Sequence, residues 1–190
     1  MGKIISIDKK TKNYELISYG HRNPQGLHYL STHNIIINTE HGPKGGDEIN
    51  FNFLKSNEPS NFGWPVSSYG SPYSGEEKIF EEQGWLTKSH DENGFKEPIK
   101  HYTPSIGISE LVYLPKRISP DGKEYLFVSS LRAASIYVIK LNDKLDKILD
   151  EDRVYFPNHR IRDIEYDEEL GVFFILFEHT PSVGILHFKT

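Results

Sequence analysis

The chain contains no cysteine in its 190 residues. Disulfide bridges and thiolate metal sites are therefore excluded, although the compartment is not fixed, because cytosolic and periplasmic proteins can both lack cysteine. No apolar run approaches the roughly 20 residues of a membrane-spanning helix. The net charge is -5 and no Lys/Arg-rich run is present, so neither nucleic acid nor a membrane surface is indicated as a partner.

The N-terminus also has no apolar signal-peptide segment. Residues Met1 to Asp8 instead alternate in the manner of a strand. If mature relatives are exported, we expect this chain to be a fragment or to have lost its signal. A hydrophobic content of 36% fits one ordinary domain or a piece of a larger one.

The apolar periodicity predicts β structure almost throughout. Short apolar or alternating runs are bounded by turn residues, as is typical of strands. The predicted strands are Ile4–Ile7, Gly26–Leu30, Asn34–Asn38, Glu48–Phe53, Leu111–Leu114, Tyr125–Val128, Ser135–Ile139, Arg162–Tyr166, Val172–Phe177 and Val183–Phe188. Hairpin turns are predicted at Pro120–Gly122 and Glu169–Gly171. Leu141–Glu151 alone fits a short helix, and fits a charged outer loop equally well.

The strands fall into three similar antiparallel sets, which is the pattern of propeller blades. We expect an all-β fold with about three four-stranded blades over residues 1–190. About three blades cannot close a ring, for which four is the usual minimum, and an open arc would leave apolar faces and edges in water. The chain is therefore predicted to be part of a larger propeller or to complete one with another copy.

Residues 54–103 differ from the rest in being rich in Ser, Pro, Gly and Asn. They carry the aromatic clusters Asn61–Pro65 and Tyr69–Tyr73. A flexible insertion is one interpretation, but disordered linkers are poor in aromatic residues. We expect a folded inter-blade loop that covers a mouth of the ring, since ordered loops of this length are usually functional.

Two segments concentrate the residue types that a binding site needs. His21–Leu27 and Glu40–Asn50 bring an arginine, side-chain amides, glycines and carboxylates to the two ends of one apolar strand. Together with Asn61–Pro65 they resemble the signature segments of soluble glucose/sorbosone dehydrogenases. Those enzymes are six-bladed propellers that oxidise aldose sugars with pyrroloquinoline quinone (PQQ) and calcium. Later segments in the same order extend the resemblance to the C-terminus: Pro104–Ser109, Ser129–Arg132 and Arg160–Asp163.

The resemblance implies that Arg22, Asn23, Arg160 and Arg162 contact the cofactor. The residue types agree with this, because guanidinium groups match the carboxylates of PQQ and an asparagine amide can donate to a quinone oxygen. Strand alternation would place Arg160 and Arg162 on one face. The structural alternative is a pair of surface arginines bonded to an acidic neighbour, either Asp163 or Glu165.

Gly42 and Pro43 are the calcium ligands that the resemblance implies, through their backbone carbonyls. Calcium prefers hard oxygen ligands of this kind. Asp47 and Glu48 could hold a metal-bound water or brace the turn. The alternative is a plain glycine-rich hairpin in which Asp47 caps a backbone amide. His41 is interpreted as a loop histidine, since imidazole is a poor calcium ligand.

Several positions depart from the family pattern. Arg132, a predicted cofactor contact, replaces a frequent lysine, Gly107–Ile108 replaces Ala-Pro, and Glu110 replaces glycine. The family's general base, a histidine upstream of the Arg-Asn segment, has no counterpart here. His21 is the only local substitute, so no catalytic residue is assigned.

We therefore expect the C-terminal part of a PQQ- and calcium-dependent aldose sugar dehydrogenase, inactive alone and completed by the missing N-terminal blades or a second copy. The resemblance implies a periplasmic or secreted protein. One alternative is a non-catalytic binding propeller, since fold alone does not decide function. A calcium-dependent lactonase-type propeller ranks last, because only Asp47 and Glu48 could contribute to its ring of acidic and amide ligands.

Overall fold

The computed structural model describes residues 2–54, 58–86 and 88–188, and within them the chain is almost entirely β. Its elements in chain order are β1 (Gly2–Ile7), β2 (Tyr14–His21), β3 (Pro24–Leu30), β4 (Ile35–Glu40), β5 (Asp47–Phe53), β6 (Ser60–Asn61), helix α1 (Glu77–Glu82), a 3₁₀ turn (Asp91–Asn93), β7 (Lys100–Tyr102), β8 (Ile108–Leu114), β9 (Glu124–Ser130), β10 (Ser135–Leu141), β11 (Ile148–Tyr155), β12 (Ile161–Asp167), β13 (Val172–Phe177) and β14 (Ser182–His187).

The chain forms two compact units. The first comprises Met1–Gln25 and Tyr29–Ser105, and the second comprises Gly26–His28 and Ile106–Thr190. Strands β1, β2 and β6 form one sheet, and β3, β4, β5 and β7 form another. In the second unit β8–β11 form a four-stranded sheet and β12–β14 a three-stranded one. The number of blades stays a prediction.

The β4–β5 hairpin of the first unit buries both of its faces. One face is apolar and includes Ile37 and Ile49, both fully buried. The other face is polar, because Asn38 pairs with Asn50 and Glu40 with Glu48 across the two strands. All four polar side chains are at most 4% exposed. Alternation of this kind commonly indicates a strand with one face in water, so burial of the polar face is a departure from that rule.

The second unit has an aliphatic and aromatic core between its two sheets. Residues from β8–β10 pack against residues from β12 and β13, and the buried members are Val112, Leu114, Phe127, Ile136, Ile161, Ile164, Phe173 and Ile175. The Phe127 and Phe173 ring centres are 4.4 Å apart. Each fully buried side chain of this size contributes about 1.5–3 kcal/mol, so this core contributes strongly to the unit's stability.

The long segment 54–103 is folded, although residues 55–57 and 87 lie outside the described part. It supplies β6, α1, the 3₁₀ turn and β7, which completes the sheet of β3, β4 and β5. Strand β6 runs parallel to β2, with Ser18 opposite Ser60 and Tyr19 opposite Asn61. Among the described residues no helix is long and apolar enough to cross a membrane.

The helix considered over Leu141–Glu151 is wrong. Strand β10 continues to Leu141, and β11 begins at Ile148 and pairs with β10. The Oδ1 atom of Asn142 accepts hydrogen bonds from the amides of Asp146 (3.0 Å) and Lys147 (3.1 Å). This side chain closes a hairpin turn, and the buried Leu145 anchors the turn to the core.

The ten predicted strands are present with small changes at their ends. Both predicted hairpin turns are also present, and Gly122 and Gly171 have positive φ angles of 67°. The short strands β6 and β7, within the segment predicted as a loop, were missed. Strands β2 and β11 were also missed, because Tyr14–His21 and Ile148–Tyr155 lack a clean apolar alternation. They are stabilised by pairing with β1 and β10.

Candidate functional site

Arg22 follows strand β2 directly, and its guanidinium is held by a carbonyl and two aromatic rings. Its Nη1 donates a hydrogen bond of 3.2 Å to the His41 carbonyl oxygen. The guanidinium carbon lies 5.2 Å from the ring centre of Trp64 and 6.0 Å from that of Tyr73, distances at which a ring attracts a cation. The buried Nε atom has no hydrogen-bond partner in the described part of the chain. Such an unsatisfied donor calls for a ligand or an ordered water.

The backbone joins the Arg22 segment to the start of the Gly-Pro turn. The amide of His41 donates a hydrogen bond of 3.0 Å to the carbonyl of Asn23. The Asn23 side chain is exposed, and its Oδ1 accepts a hydrogen bond of 3.0 Å from Gln25. Asn23 and His41, 18 positions apart in sequence, are thus adjacent.

The Gly42–Pro43 turn is folded too tightly for any side chain at its first position. A Cβ atom on Gly42 would lie 2.1 Å from the carbonyl oxygen of Gly45 and 2.3 Å from that of Gly46. The amide of Gly46 donates to the carbonyl of Tyr102 at 2.9 Å, which ties the turn to β7. The hydroxyl of Tyr73 donates a hydrogen bond of 3.0 Å to the Pro43 carbonyl. A carbonyl oxygen has two lone pairs, so this one can still bind a cation.

The two acidic residues after the turn point to opposite faces of β5. Asp47 is fully buried and accepts hydrogen bonds of 2.8 and 2.9 Å from the Ser105 hydroxyl, with His41 Nδ1 3.8 Å away. The Asp47 carboxylate therefore ties the end of the turn to Ser105. No cluster of three His, Cys, Asp or Glu residues suited to a metal occurs among the described residues.

His21 belongs to the packing of the first unit. Its Nδ1 shares a hydrogen bond of 2.9 Å with Glu40, its Nε2 shares one of 2.8 Å with Ser18, and its ring stacks on Phe62 at 4.8 Å. The side chain is fully buried. Both ring nitrogens are thus engaged, which argues against His21 as a substitute general base.

A buried acid–imidazole contact lies on the polar face of the β4–β5 hairpin. Glu48 Oε1 is 3.6 Å from His90 Nε2, and Asn50 donates to Glu48 Oε2 at 3.4 Å. Burial, with the charge of Glu40 opposite, raises the pKa of Glu48 well above its ordinary value. Burial also lowers the pKa of His90. Both shifts favour the neutral forms of these two side chains.

Glu97 connects this contact to the surface of the first unit. Its Oε2 accepts a hydrogen bond of 2.6 Å from the Tyr69 hydroxyl, and its Oε1 accepts from the amides of His90 (3.0 Å) and Asp91 (2.9 Å). Burial alone would raise the pKa of Glu97, but the hydrogen bonds from Tyr69 and the two amides hold it below its ordinary value. The Tyr69 ring stacks on His101 at 3.8 Å.

In the second unit Arg160 and Arg162 share one carboxylate. Arg160 Nε donates to Glu178 Oε2, and Arg162 Nη2 donates to Glu178 Oε1. A β-bulge between Ile161 and Asp163 changes the pairing of β12 with β13 at Arg162. The guanidinium groups hold the pKa of Glu178 at about 2. The two arginines are therefore neighbours, and the carboxylate they share is neither of the two considered from the sequence.

Arg132 lies in the turn between β9 and β10, where its side chain is exposed. Its amide donates to the carbonyl of Ile106 at 3.0 Å. Gly107 has a φ of +64°, and a Cβ there would lie 2.8 Å from the Arg132 amide nitrogen. A glycine at position 107 is therefore required by this close approach of two backbone segments.

The structure thus brings Arg22, Asn23, Gly42 and Pro43 together in the first unit, and Arg160 with Arg162 in the second. Convergence of the two sets on one end of the fold stays a prediction.

Sequence reasoning missed the site neighbours Trp64, Tyr73, His90 and Glu178. The aromatic clusters around Trp64 and Tyr73 were the available signal, whereas nothing in the sequence pairs Glu178 with the arginines.

Comparison with known proteins gives one consistent similarity. The chain matches the Glucose / Sorbosone dehydrogenase family over residues 5–184. It is also similar to the aldose sugar dehydrogenase YliI of Escherichia coli strain K12. The two sequences are 30% identical over 169 residues, which cover 88% of this chain and 42% of the relative.

Solved structures give the same result. A crystal structure of a glucose dehydrogenase matches with a TM-score of 0.76 and 27% identity, over 96% of this chain and 49% of that one. The soluble aldose sugar dehydrogenase of Escherichia coli, in its apo form, matches with a TM-score of 0.71 and 30% identity, over 94% and 48%. These proteins form a β-propeller family, so the predicted fold class is confirmed. The chain spans just under half the length of each.

Proposed function

Since this chain belongs to the glucose/sorbosone dehydrogenase family, we propose that it forms the cofactor-holding part of a PQQ- and calcium-dependent aldose sugar dehydrogenase. The observation that carries the proposal is the junction of the Arg22 segment with the Gly42–Pro43 turn through His41. This junction places an unsatisfied guanidinium donor on the same backbone scaffold as a carbonyl-rich turn.

The residues fit a flat polyanion. PQQ carries several carboxylates on a planar quinone, and a guanidinium offers five N–H donors in a fork that matches a carboxylate. Arg22 has its Nε unsatisfied within the described residues. Arg160 and Arg162 each donate to Glu178, and a single bond to that carboxylate leaves donors for an anionic ligand. Arg132 and Asn23, both exposed, would complete the contacts.

The turn fits calcium. Gly42 and Pro43 would offer consecutive backbone carbonyls, and carbonyl oxygens are suitable ligands for this ion. The rigid packing of Gly42 against the carbonyls of Gly45 and Gly46 keeps the turn in one shape. When bound, calcium and PQQ would together supply the two-electron acceptor for oxidation of an aldose at C1. The residues of this chain bind and orient them.

We propose further that the chain is inactive alone. General-base catalysis contributes about 10²–10⁴ in rate, and His21 has both ring nitrogens engaged. The missing N-terminal blades, or a second copy of the chain, would supply the base and the rest of the sugar pocket. Family resemblance supports a periplasmic or secreted location.

The test is a calorimetric titration of the purified chain with PQQ, in the presence and absence of calcium. We expect calcium-dependent binding without reduction of a dye by glucose. Arg22→Ala and Arg162→Ala should each weaken PQQ binding by about tenfold or more, because each removes a charge-assisted hydrogen bond. Arg153→Ala, on the exposed face of β11, is the charge-matched control and should bind normally.

Two results would contradict the proposal in different ways. Absence of calcium-dependent PQQ binding would instead favour the non-catalytic binding propeller. Dye reduction at the rate of an intact enzyme would show that the catalytic base lies within this chain, and His21→Ala would then identify or eliminate the buried histidine.

A further inference from the structure

We propose that Trp64 and Tyr73 are positioning residues that immobilise the Arg22 guanidinium and the Pro43 carbonyl. The inference rests on the proposed function only for the identity of the ligand. The contacts themselves are independent of it, and all of them lie within the first unit.

The segment that carries Trp64 is fastened to the strand that precedes Arg22. The amide of Phe62 donates to the carbonyl of Tyr19, and the amide of Trp64 donates to the carbonyl of Gly20, both at 2.9 Å. These bonds continue the parallel pairing of β2 with β6. The approach is so close that a Cβ atom on Gly20 would lie 2.2 Å from the Asn61 side chain.

This pairing places one aromatic ring against His21 and another against Arg22, two successive residues. Phe62 stacks on His21 with ring centres 4.8 Å apart. Two residues later along the same pairing, the Trp64 ring lies 5.2 Å from the Arg22 guanidinium carbon. Because the backbone hydrogen bonds fix the position of Trp64, the ring restricts where the guanidinium can lie. An arginine held in this way loses less side-chain freedom when it binds an anion.

A second attachment holds the Gly-Pro turn. Lys44 and Ser71 exchange a pair of backbone hydrogen bonds, both of 3.0 Å. This pair brings Tyr73 to the turn, where its hydroxyl donates to the Pro43 carbonyl at 3.0 Å. The Tyr73 ring also lies 6.0 Å from the Arg22 guanidinium. One side chain therefore contacts both a proposed anion-binding group and a proposed cation-binding group.

The test of positioning uses NMR of the unliganded chain. The sequence contains six arginines, so the Nε–H resonance of Arg22 can be assigned by its loss in Arg22→Lys. Stacking near Trp64 should shift the resonances of the Arg22 side chain upfield and slow its motion. Trp64→Leu should reduce both effects to what the Tyr73 ring and the His41 carbonyl maintain, and Trp64→Phe should retain more of them. Trp85→Phe, in the same segment and packed on Phe80, should leave them unchanged.

Tyr73→Phe tests the second contact, because it removes the hydroxyl and keeps the ring. Loss of the hydrogen bond to the Pro43 carbonyl should shift the amide nitrogen resonance of Lys44, the next residue. Calcium-dependent PQQ binding should weaken about five- to tenfold in Trp64→Leu and about threefold or more in Tyr73→Phe, and should be unchanged in Trp85→Phe.

The two proposals fail in distinguishable ways. If the Arg22 resonances are the same in Trp64→Leu and the unmodified chain, the positioning role is overturned whatever the chain binds. In a chain that binds PQQ, the positioning role is also overturned if Trp64→Leu changes the Arg22 resonances and leaves the PQQ affinity unchanged. If the unmodified chain binds no PQQ but its Arg22 resonances respond to Trp64→Leu, the positioning contact is supported and the assigned ligand is wrong.

Discussion

Replacement of Glu48 by glutamine should stabilise the protein at neutral pH. The Glu48 side chain is 4% exposed and faces Glu40 across the β4–β5 hairpin. Its imidazole neighbour His90 is held in the neutral form by burial, which lowers the His90 pKa, and so offers little compensation. Glutamine is nearly isosteric with the protonated acid and keeps a hydrogen-bonding side chain next to Asn50. At neutral pH the folded protein must either bury the Glu48 charge or bind a proton that the unfolded chain does not hold, and relief of this cost is worth about 1–3 kcal/mol.

The pH dependence gives the sharper test. Because burial raises the pKa of Glu48 in the folded state, the folded protein binds this proton more tightly than the unfolded chain does. The contribution of Glu48 to the free energy of unfolding is therefore fully present below the ordinary value of 4.5. It is lost as the pH rises through the raised pKa of the folded state. The Glu48→Gln variant should lack this decline.

The assay is urea unfolding of the unmodified chain and of Glu48→Gln at several pH values from 4 to 8. The advantage of the variant in free energy of unfolding should be absent near pH 4 and should grow as the pH rises, to about 1–3 kcal/mol at pH 7. Glu15→Gln, at an exposed position of β2, is the control and should not change the slope. A variant that is less stable than the unmodified chain at pH 7, or that declines with the same slope, would refute the reasoning.

Two further predictions concern packing. Gly20→Ala should destabilise the protein by about 1–3 kcal/mol in urea unfolding. Gly20 has a φ of +75°, and a Cβ atom added there would meet the Asn61 side chain. Equal stability of the variant would show that β6 is not held against β2. Phe173→Ala should lower the free energy of unfolding by about 3–5 kcal/mol, since the Phe173 ring is 1% exposed and packs on Phe127. Leu170→Ala, at an exposed position, is the control and should leave it nearly unchanged in the same assay.

The strands could be predicted where side-chain alternation or an apolar run was strong. Glu48–Phe53 and Val172–Phe177 are examples, and both are strands in the structure. Strand β2 has no such pattern, because it is defined by its partners β1 and β6. The charged run after Leu141 was ambiguous locally; it forms a turn closed by Asn142, and pairing with β10 makes Ile148–Tyr155 a strand.

The candidate site was predictable in its motifs and not in its neighbours. The residue types of Arg22 and Gly42–Pro43 indicated a binding function, and the structure joins them through His41. Trp64 approaches Arg22 across 42 positions of sequence through the parallel pairing of β6, which no local pattern encodes. Glu178 lies on the far side of a hairpin from Arg162, so its role depends on the register of β12 and β13.

The two-faced burial of the β4–β5 hairpin has a consequence for the loop it supports. If either strand slipped by one residue, its side chains would change faces, so that Ile37 would exchange places with Asn38 in β4, or Ile49 with Glu48 in β5. Slippage is therefore strongly disfavoured, because each face of the hairpin is buried and suits only one set of side chains. Since the register fixes the number of residues between the strands, it also fixes the length and shape of the connection that contains Gly42–Pro43. The buried faces of the hairpin therefore determine the conformation available to the loop at its end.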